Sequence, residues 1–85
     1  MTITHNADEL RFEADTGHGV ALAEYQRDGD TVVFTHTVVP GAARGQGVGA
    51  ALVAEALAWA RAEGLAVVPQ CPFVAAYAKK HPEAV

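Results

Sequence analysis

Hydrophobic and polar residues alternate along the first half of the chain with a period of two, which is typical of strands. This alternation predicts three strands, over residues 9–15, 20–27 and 31–39. Residues 16–19 form a turn between the first two. Asp28-Gly29-Asp30 predicts a tight hairpin between the second and the third, because Asp-Gly supplies the positive φ of such turns. Residues 1–8 are polar, and we expect them to be frayed.

In the second half of the chain the period becomes helical. Apolar residues between Val48 and Ala60 cover one continuous half of a helical wheel, which predicts a helix over residues 47–63 that lies flat on a sheet. Gly64 is typical of a helix C-terminus. The other side of this helix is rich in alanine, which supplies helix propensity, at Ala50, Ala54, Ala58 and Ala62.

A short apolar run over residues 65–69 has the composition of a buried strand, and residues 73–80 predict a second helix that follows Pro72. We expect the inward face of that helix to carry Phe73, Tyr77 and either Val74 or Ala76. Strand, helix and strand in succession imply a right-handed crossover, so the last strand should lie parallel to the third. The predicted fold is therefore α+β, with the order β-β-β-α-β-α on one mixed four-stranded sheet on which the long helix packs.

Composition and charge restrict the class of protein. The chain has 85 residues, of which 51% are hydrophobic, so we expect one domain spanning residues 1–85. Its single cysteine excludes an internal disulfide, and the histidines lack the spacing of a zinc site. The net charge of −4 argues against nucleic acid as a partner. No stretch reaches the roughly 18 apolar residues of a membrane span, and the first residues lack the features of a signal peptide. We expect a monomeric, cytoplasmic protein without a bound metal.

Candidate chemistry concentrates between the third strand and the long helix, where Gly45, Gly47 and Gly49 lie close together. A strand, a glycine-rich turn and a helix N-terminus predict a phosphorylated ligand, because bare amides and the helix dipole converge there. A P-loop is excluded, since Val48-Gly49-Ala50 stands where Lys and Ser or Thr are required. A dinucleotide fingerprint is formally present. Its distance from the strand, and the lack of an acid after the next strand, disfavour it.

The third interpretation of the loop is the pattern R-x-x-G-x-G, spelled Arg44-Gly45-Gln46-Gly47-Val48-Gly49. Three further blocks accompany it: His36-Thr-Val-Val-Pro40, Val68-Pro-Gln-Cys-Pro-Phe73 with Tyr77, and His81-Pro82-Glu83. With these blocks the chain resembles the GCN5-related N-acetyltransferase superfamily, and within it the very small, single-domain YidJ-type acetyltransferase-like proteins. The resemblance covers residues 36–83, and the strand pattern before them agrees with it.

The resemblance implies an acetyl-coenzyme A site. Its pyrophosphate would be bound by Arg44 and by the loop and first helical turn, comprising Gly45, Gln46, Gly47, Val48, Gly49 and Ala50. The pantetheine arm would bond to the preceding strand, like an added strand, at Thr37, Val38 and Val39. Gly47 and Gly49 would lack a Cβ so that backbone amides can approach the anion closely. The alternative is that a glycine-rich turn here serves close packing of helix on sheet.

Three residues are candidates for catalysis. Cys71 precedes a helix N-terminus and, by resemblance, lies near the thiol end of the coenzyme; it forms a covalent acetyl intermediate, lines the site, or is a buried core cysteine. Tyr77 is spaced like the superfamily tyrosine that protonates the coenzyme thiolate, or it packs under the sheet. His36 is the leading candidate for a general base, with Glu24 as the alternative, although a lone strand histidine is more often a surface residue.

The acceptor is not identified by the sequence. Full-sized members of the superfamily carry helices between the first strands, and these usually form the acceptor pocket, whereas here residues 16–19 form only a turn. An open site favours a bulky amine, such as a protein terminus, a lysine or a polyamine. The first hypothesis is therefore an acetyl-coenzyme A-dependent N-acetyltransferase that acts on a protein or small amine. The second is a coenzyme A-binding module without turnover, and a purely structural domain is the third.

Overall fold

The computed structural model describes residues 1–85. It contains five strands and two α-helices, in the order β1 (Ile3–Asn6), β2 (Arg11–Asp15), β3 (Val20–Asp28), β4 (Thr31–Val38), α1 (Val48–Ala62), β5 (Ala66–Pro69) and α2 (Pro72–Lys80). Short 3₁₀ turns cover Gly41–Ala43 and Pro82–Ala84. The α+β class and the element order after β1 confirm the prediction, although most element ends are shifted by one or two residues.

The five strands form one sheet in the order β1-β2-β3-β4-β5. Neighbours from β1 to β4 run antiparallel, and β5 pairs with β4 in parallel, as the crossover through α1 requires. The mixed sheet is therefore confirmed. The predicted number of four strands was wrong, because residues 3–6 form an additional edge strand instead of fraying.

β1 is attached to the sheet by its inward-facing residues, although its sequence is polar. Ile3 lies opposite Ala14, and His5 lies opposite Phe12. The His5 ring stacks on Phe12 with centroids 4.1 Å apart, and its Nε2 atom hydrogen-bonds the Tyr25 hydroxyl at 2.7 Å. A histidine that is both stacked and hydrogen-bonded takes the place of an apolar residue, so hydropathy alone does not reveal the strand.

Both helices contribute to one hydrophobic core on a single face of the sheet. Phe34 of β4 and Leu52 and Leu57 of α1 are among its largest fully buried side chains. α2 adds Val74, which is 1% exposed. No residue that points to the opposite face of the sheet is buried. The sheet therefore has a covered face and an open face.

A β-bulge decides which side chains near the end of β4 reach the covered face. The register between β3 and β4 shifts between Glu24 and Tyr25, which leaves Thr35 as an extra residue in β4. After the bulge, Thr37 points to the covered face and His36 points to the open face. Neighbouring strand residues always point to opposite faces, and the bulge determines that Thr37, and not His36, is the one on the covered face.

β4 extends beyond β5 at the carboxyl end of the parallel pair. β5 pairs with β4 only from Thr31 to Phe34. The Cys71 N–H then donates to the Phe34 carbonyl at 2.8 Å, just after β5. Residues 35–38 consequently have β3 on one side and no strand on the other. This free edge of β4 leads into the loop before α1.

Candidate functional site

Two glycines in the loop before α1 adopt the left-handed backbone conformation. Gly45 has a φ of 81°, and Gly47, the N-cap residue of α1, has a φ of 77°. A Cβ atom at either position would meet no atom within 4 Å. Glycine is therefore required here by the backbone conformation and not by packing, because L-residues with a side chain rarely adopt positive φ.

The amides of this loop form a run of unpaired donors. The backbone N–H groups of residues 45–50 donate no hydrogen bond within the chain. The next one, that of Ala51, donates to the Gly47 carbonyl at 3.0 Å, and no side chain caps α1. Unpaired N–H groups at the positive end of a helix dipole attract anions. The N-terminus of α1 therefore has the chemistry of a phosphate site.

Gly49 packs against an aromatic ring, a contact that the sequence did not predict for it. It lies in the first turn of α1, where its φ is not positive, so alanine would fit the backbone. A Cβ atom at this position would lie 2.8 Å from Cζ of Phe73. Glycine at this position thus allows the close approach of Phe73. This packing is a second reason for glycine, beside the predicted contact with an anion.

A cavity of about 430 Å³ lies between this loop and the end of β4. Most of the predicted binding residues line it: Thr37, Val39, Arg44, Gly45, Gly47, Val48, Gly49 and Ala50. Two do not. Val38 points to the open face, where it is half exposed, and Gln46 lines a separate pocket with Met1 and Asp15. Their backbone groups remain part of the free strand edge and of the unpaired amides.

Two lining residues, Ala43 and Phe73, were not predicted for the site. Ala43 is fully buried within the 3₁₀ turn, and nothing in the sequence singles it out. We expected the inward face of α2 to carry Phe73, Tyr77 and either Val74 or Ala76. Val74 does enter the core, whereas Phe73 is 45% exposed and lies against Gly49. The presence of a glycine inside an alanine-rich helical turn was the signal that a bulky group lies against it.

Arg44 is the only charged residue that lines the cavity. Its side chain is exposed, and its Nε atom donates to the Val39 carbonyl at 3.4 Å, a long hydrogen bond. The guanidinium therefore lies between the strand edge and the loop, where a bound anion would gain a charge-assisted contact. The arrangement favours a negatively charged ligand.

Cys71 lies behind the cavity wall. It is 6% exposed, and its Sγ atom is 3.6 Å from Oγ1 of Thr37. The pKa of the thiol is lowered: burial acts to raise it, but hydrogen bonds from the Val74 backbone, the Thr37 hydroxyl, and the Phe73 and Thr37 backbones together outweigh burial. Cys71 is the N-cap residue of α2, and its side chain forms no standard capping hydrogen bond. The thiol at the start of α2 thus loses its proton more readily than a free cysteine does.

The structure does not bring His36 and Tyr77 to the cavity. His36 lies on the open face of the sheet, with its Nδ1 atom 3.9 Å from a Glu24 carboxylate oxygen and its side chain 70% exposed. Tyr77 lines a separate groove along α1, together with Ala54 and Ala58, and its ring lies 4.5 Å from that of His81. Of the three catalytic candidates, only Cys71 lies next to the residues of the cavity.

No group of three or more His, Cys, Asp and Glu side chains is arranged to hold a metal ion. Neither helix combines the length and the apolar character needed to cross a membrane.

Residues 11–85 match the profile of a protein family described as GCN5-related N-acetyl-transferase. A search of curated proteins found no match to the sequence. The matched segment begins at β2 and includes the glycine loop, the residues that line the cavity, and Cys71. The description of the family names acetyl transfer as its activity. Since this match covers most of the chain, the protein belongs to the GCN5-related N-acetyltransferase family.

Proposed function

We propose that the chain is an acetyl-coenzyme A-dependent N-acetyltransferase with an open acceptor side, which transfers an acetyl group to an amine of a protein or of a small molecule. The observation that carries the proposal is the cavity of about 430 Å³ between the loop of unpaired amides and the free edge of β4. This volume is within the usual range for small-molecule sites, about 300–1,000 Å³. Each part of the cavity suits one part of the coenzyme.

The loop suits the pyrophosphate. Six consecutive N–H groups, from Gly45 to Ala50, have no partner within the chain and lie at the N-terminus of α1. Arg44 adds a positive charge at the cavity rim. Hydrogen bonds in which the acceptor is ionised are roughly twice as strong as neutral ones, so an oxyanion gains most from such a site. The chain as a whole carries a net charge of −4, so this local preference does not arise from its overall charge.

The free edge of β4 suits the pantetheine arm. Residues 35–38 lack a strand partner on the side of β5, and Thr37 and Val39 line the cavity. The amide groups of the arm can bond to such an edge as an added strand would. Val38 would take part through its backbone alone, because its side chain points to the open face.

With the phosphates at the loop, the acetyl end of the coenzyme would lie near Thr37 and Cys71. In a covalent route, the Cys71 thiolate attacks the thioester carbonyl. The new carbon–sulfur bond forms as the bond to coenzyme A breaks, and coenzyme A leaves as a thiolate. A neutral amine then attacks the carbonyl of acetyl-Cys71: the carbon–nitrogen bond forms as the carbon–sulfur bond breaks, Cys71 leaves as a thiolate, and the amine proton passes to the released coenzyme A thiolate or to solvent. In a direct route the amine attacks the thioester of acetyl-coenzyme A, coenzyme A leaves as a thiolate that takes up the amine proton, and Cys71 forms no bond to the acetyl group.

A coenzyme A-binding module without turnover is the second candidate. It is favoured by one observation, namely that the cavity contains no side chain able to act as a general base at neutral pH. His36 and Tyr77 both lie elsewhere, on the open face and in the groove along α1. Catalysis would then depend on Cys71 or on groups supplied by the acceptor.

Titration calorimetry with coenzyme A and acetyl-coenzyme A tests the shared part of both candidates. Gly47→Ala should weaken binding roughly five- to thirtyfold, because the free loop can relax from its left-handed conformation and binding must restore it at a cost of about 1–2 kcal/mol. Gly29→Ala is the matched control: Gly29 also has positive φ, its Cβ position is also open, and it lies in the β3–β4 turn. Both changes impose similar backbone strain, about 1–2 kcal/mol. Wild-type protein that binds neither compound would refute both candidates.

Acetyl transfer is tested by incubating wild type and Cys71→Ala with labelled acetyl-coenzyme A and a panel of amines. The panel contains a lysine peptide, a free protein N-terminus and a polyamine. Label on an amine in both proteins supports direct transfer and rejects the covalent route. Label on Cys71, with transfer lost in the variant, supports the covalent route. Binding without label on any group supports the module without turnover.

A further inference from the structure

Thr37 connects the cavity to the cysteine behind it. Its side chain lines the cavity, and its Oγ1 atom lies 3.6 Å from Sγ of Cys71. Apart from Arg44, it is the only lining residue with a polar side chain. Cys71 is 6% exposed and does not itself line the cavity. A ligand in the cavity would therefore meet the threonine hydroxyl before it meets the thiol.

We propose that Thr37 is a positioning residue, whose hydroxyl holds the Cys71 sulfur at the cavity wall and directs it toward the acyl end of a bound thioester. The proposal rests on the coenzyme site proposed above. A threonine hydroxyl accepts a hydrogen bond from a thiol and donates one to a thiolate. The same contact therefore persists when the sulfur loses its proton, so the sulfur does not have to move between the two states.

The other groups around the sulfur are backbone groups, so Thr37 is the side chain that can position it. The backbone of Cys71 is fixed by its N–H, which donates to the Phe34 carbonyl at 2.8 Å. The groups that lower the thiol pKa against the effect of burial are backbone groups and the Thr37 hydroxyl, and no charged side chain is among them. On β4, the nearby His36 points to the opposite face toward Glu24. Thr37 is thus the side chain that hydrogen-bonds the sulfur, and removing its hydroxyl tests that contact while the backbone groups remain.

The test is the pH dependence of alkylation by iodoacetamide, followed by intact mass. The chain has one cysteine, so one added group reports Cys71 alone, and Cys71→Ser should remain unlabelled. Thr37→Val keeps the shape of the side chain and removes the hydroxyl. We expect the midpoint of the pH profile to move to higher pH. The rate at pH 7 should fall roughly three- to tenfold, the change that corresponds to the net effect of one hydrogen bond.

The midpoint is the decisive quantity, because it does not depend on how easily the reagent reaches a buried sulfur. The limiting rate at high pH should not fall with it, since a thiolate of higher pKa is intrinsically the better nucleophile. Thr37→Ser restores the hydroxyl and should restore the wild-type midpoint. Thr35→Val is the matched control, because that hydroxyl is on the same strand but donates to the Glu24 carbonyl at 3.4 Å.

Two outcomes would overturn the proposal. A midpoint in Thr37→Val equal to that of wild type would show that the hydroxyl does not act on the sulfur. An equal shift in Thr35→Val would show that any loosening of β4 has the same effect. Failure of the proposed coenzyme site gives a different result: wild-type protein would bind no coenzyme A in calorimetry. The proposed orientation of the sulfur toward a thioester would then be refuted as well. Intact binding with an unchanged midpoint refutes the role of Thr37 alone.

Discussion

Gly49→Ala should destabilise the protein, although alanine is the better residue for a helix. The added Cβ would lie 2.8 Å from Cζ of Phe73 and 3.3 and 3.4 Å from two further ring atoms. Carbon atoms in contact prefer separations of about 3.5–4.0 Å. The obstructing atoms belong to the end of a side chain that is 45% exposed, so the ring moves and the backbone does not. Its movement would open one wall of the cavity.

Two effects of opposite sign set the size of the change. Alanine gains at most about 1 kcal/mol over glycine in a helix interior, and less in a first turn. Extra atoms in a packed site typically cost about 1–3 kcal/mol, and a half-exposed ring that can turn toward solvent is at the lower end. The free energy of unfolding should therefore fall by about 0.5–1.5 kcal/mol.

The assay is a double-mutant cycle in urea, followed by the fluorescence of Trp59. This residue is the only tryptophan, and its ring packs against those of His5, Phe12 and Tyr25. In a Phe73→Ala background the obstruction is gone, so Gly49→Ala should be neutral or stabilising. The coupling energy between the two positions should then reach about 1–2 kcal/mol. An equal loss of stability in both backgrounds would refute the argument from Phe73.

Wild type, the two single variants and the double variant also test whether Gly49 is needed for packing against Phe73 or for contact with an anion. If glycine is required only for Phe73, the double variant should bind coenzyme A as well as Phe73→Ala alone does. If an anion also needs the bare Cα, the double variant should fold normally and bind at least tenfold more weakly than Phe73→Ala. Calorimetry on the pair thus separates packing from ligand contact at one position of the R-x-x-G-x-G pattern.

Two further predictions concern charge. Burial lowers the pKa of His5 from 6.5, so the folded state favours the neutral ring: stability is fully present above pH 6.5 and falls as the pH drops below it. Urea denaturation at pH 7.5 and 5.0 should show a loss that is smaller in His5→Gln, and equal losses would contradict the prediction. Arg44→Ala should weaken coenzyme A binding about tenfold at low salt and less at high salt, with Arg44→Lys in between. Unchanged affinity in calorimetry would mean that the guanidinium remains in solvent.

The parts of the fold that the sequence predicts are those that depend on local pattern. β2, β3 and β4 alternate with a period of two, α1 follows a helical period, and the crossover rule makes β5 parallel to β4. β1 is missed because its attachment depends on partners far along the chain. The hydrogen bond between His5 and Tyr25 spans 20 residues, and the stacking on Phe12 exists only once the sheet has formed.

The site is predicted in part, for a related reason. The loop from Arg44 to Ala50 is a continuous stretch, and its glycines indicate its backbone conformation. Its residues could therefore be predicted from the sequence as a binding loop. The free edge of β4 depends instead on where β5 ends relative to it, and the bulge at Thr35 determines that Thr37 and not His36 faces the cavity. Strand register and bulges leave little trace in a hydropathy pattern.

α2 shows most clearly what periodicity leaves undetermined. Phe73 and Tyr77 are four residues apart, so they share one face of a helix, and both do lie along α1. Their places along α1 differ: Phe73 lies against Gly49 at the cavity, whereas Tyr77 lies in the groove beside Ala54 and Ala58. The small residues on this side of α1 therefore do more than favour a helix, because they admit two aromatic rings. This placement makes Phe73, and not Tyr77, the aromatic residue that a ligand in the cavity would meet.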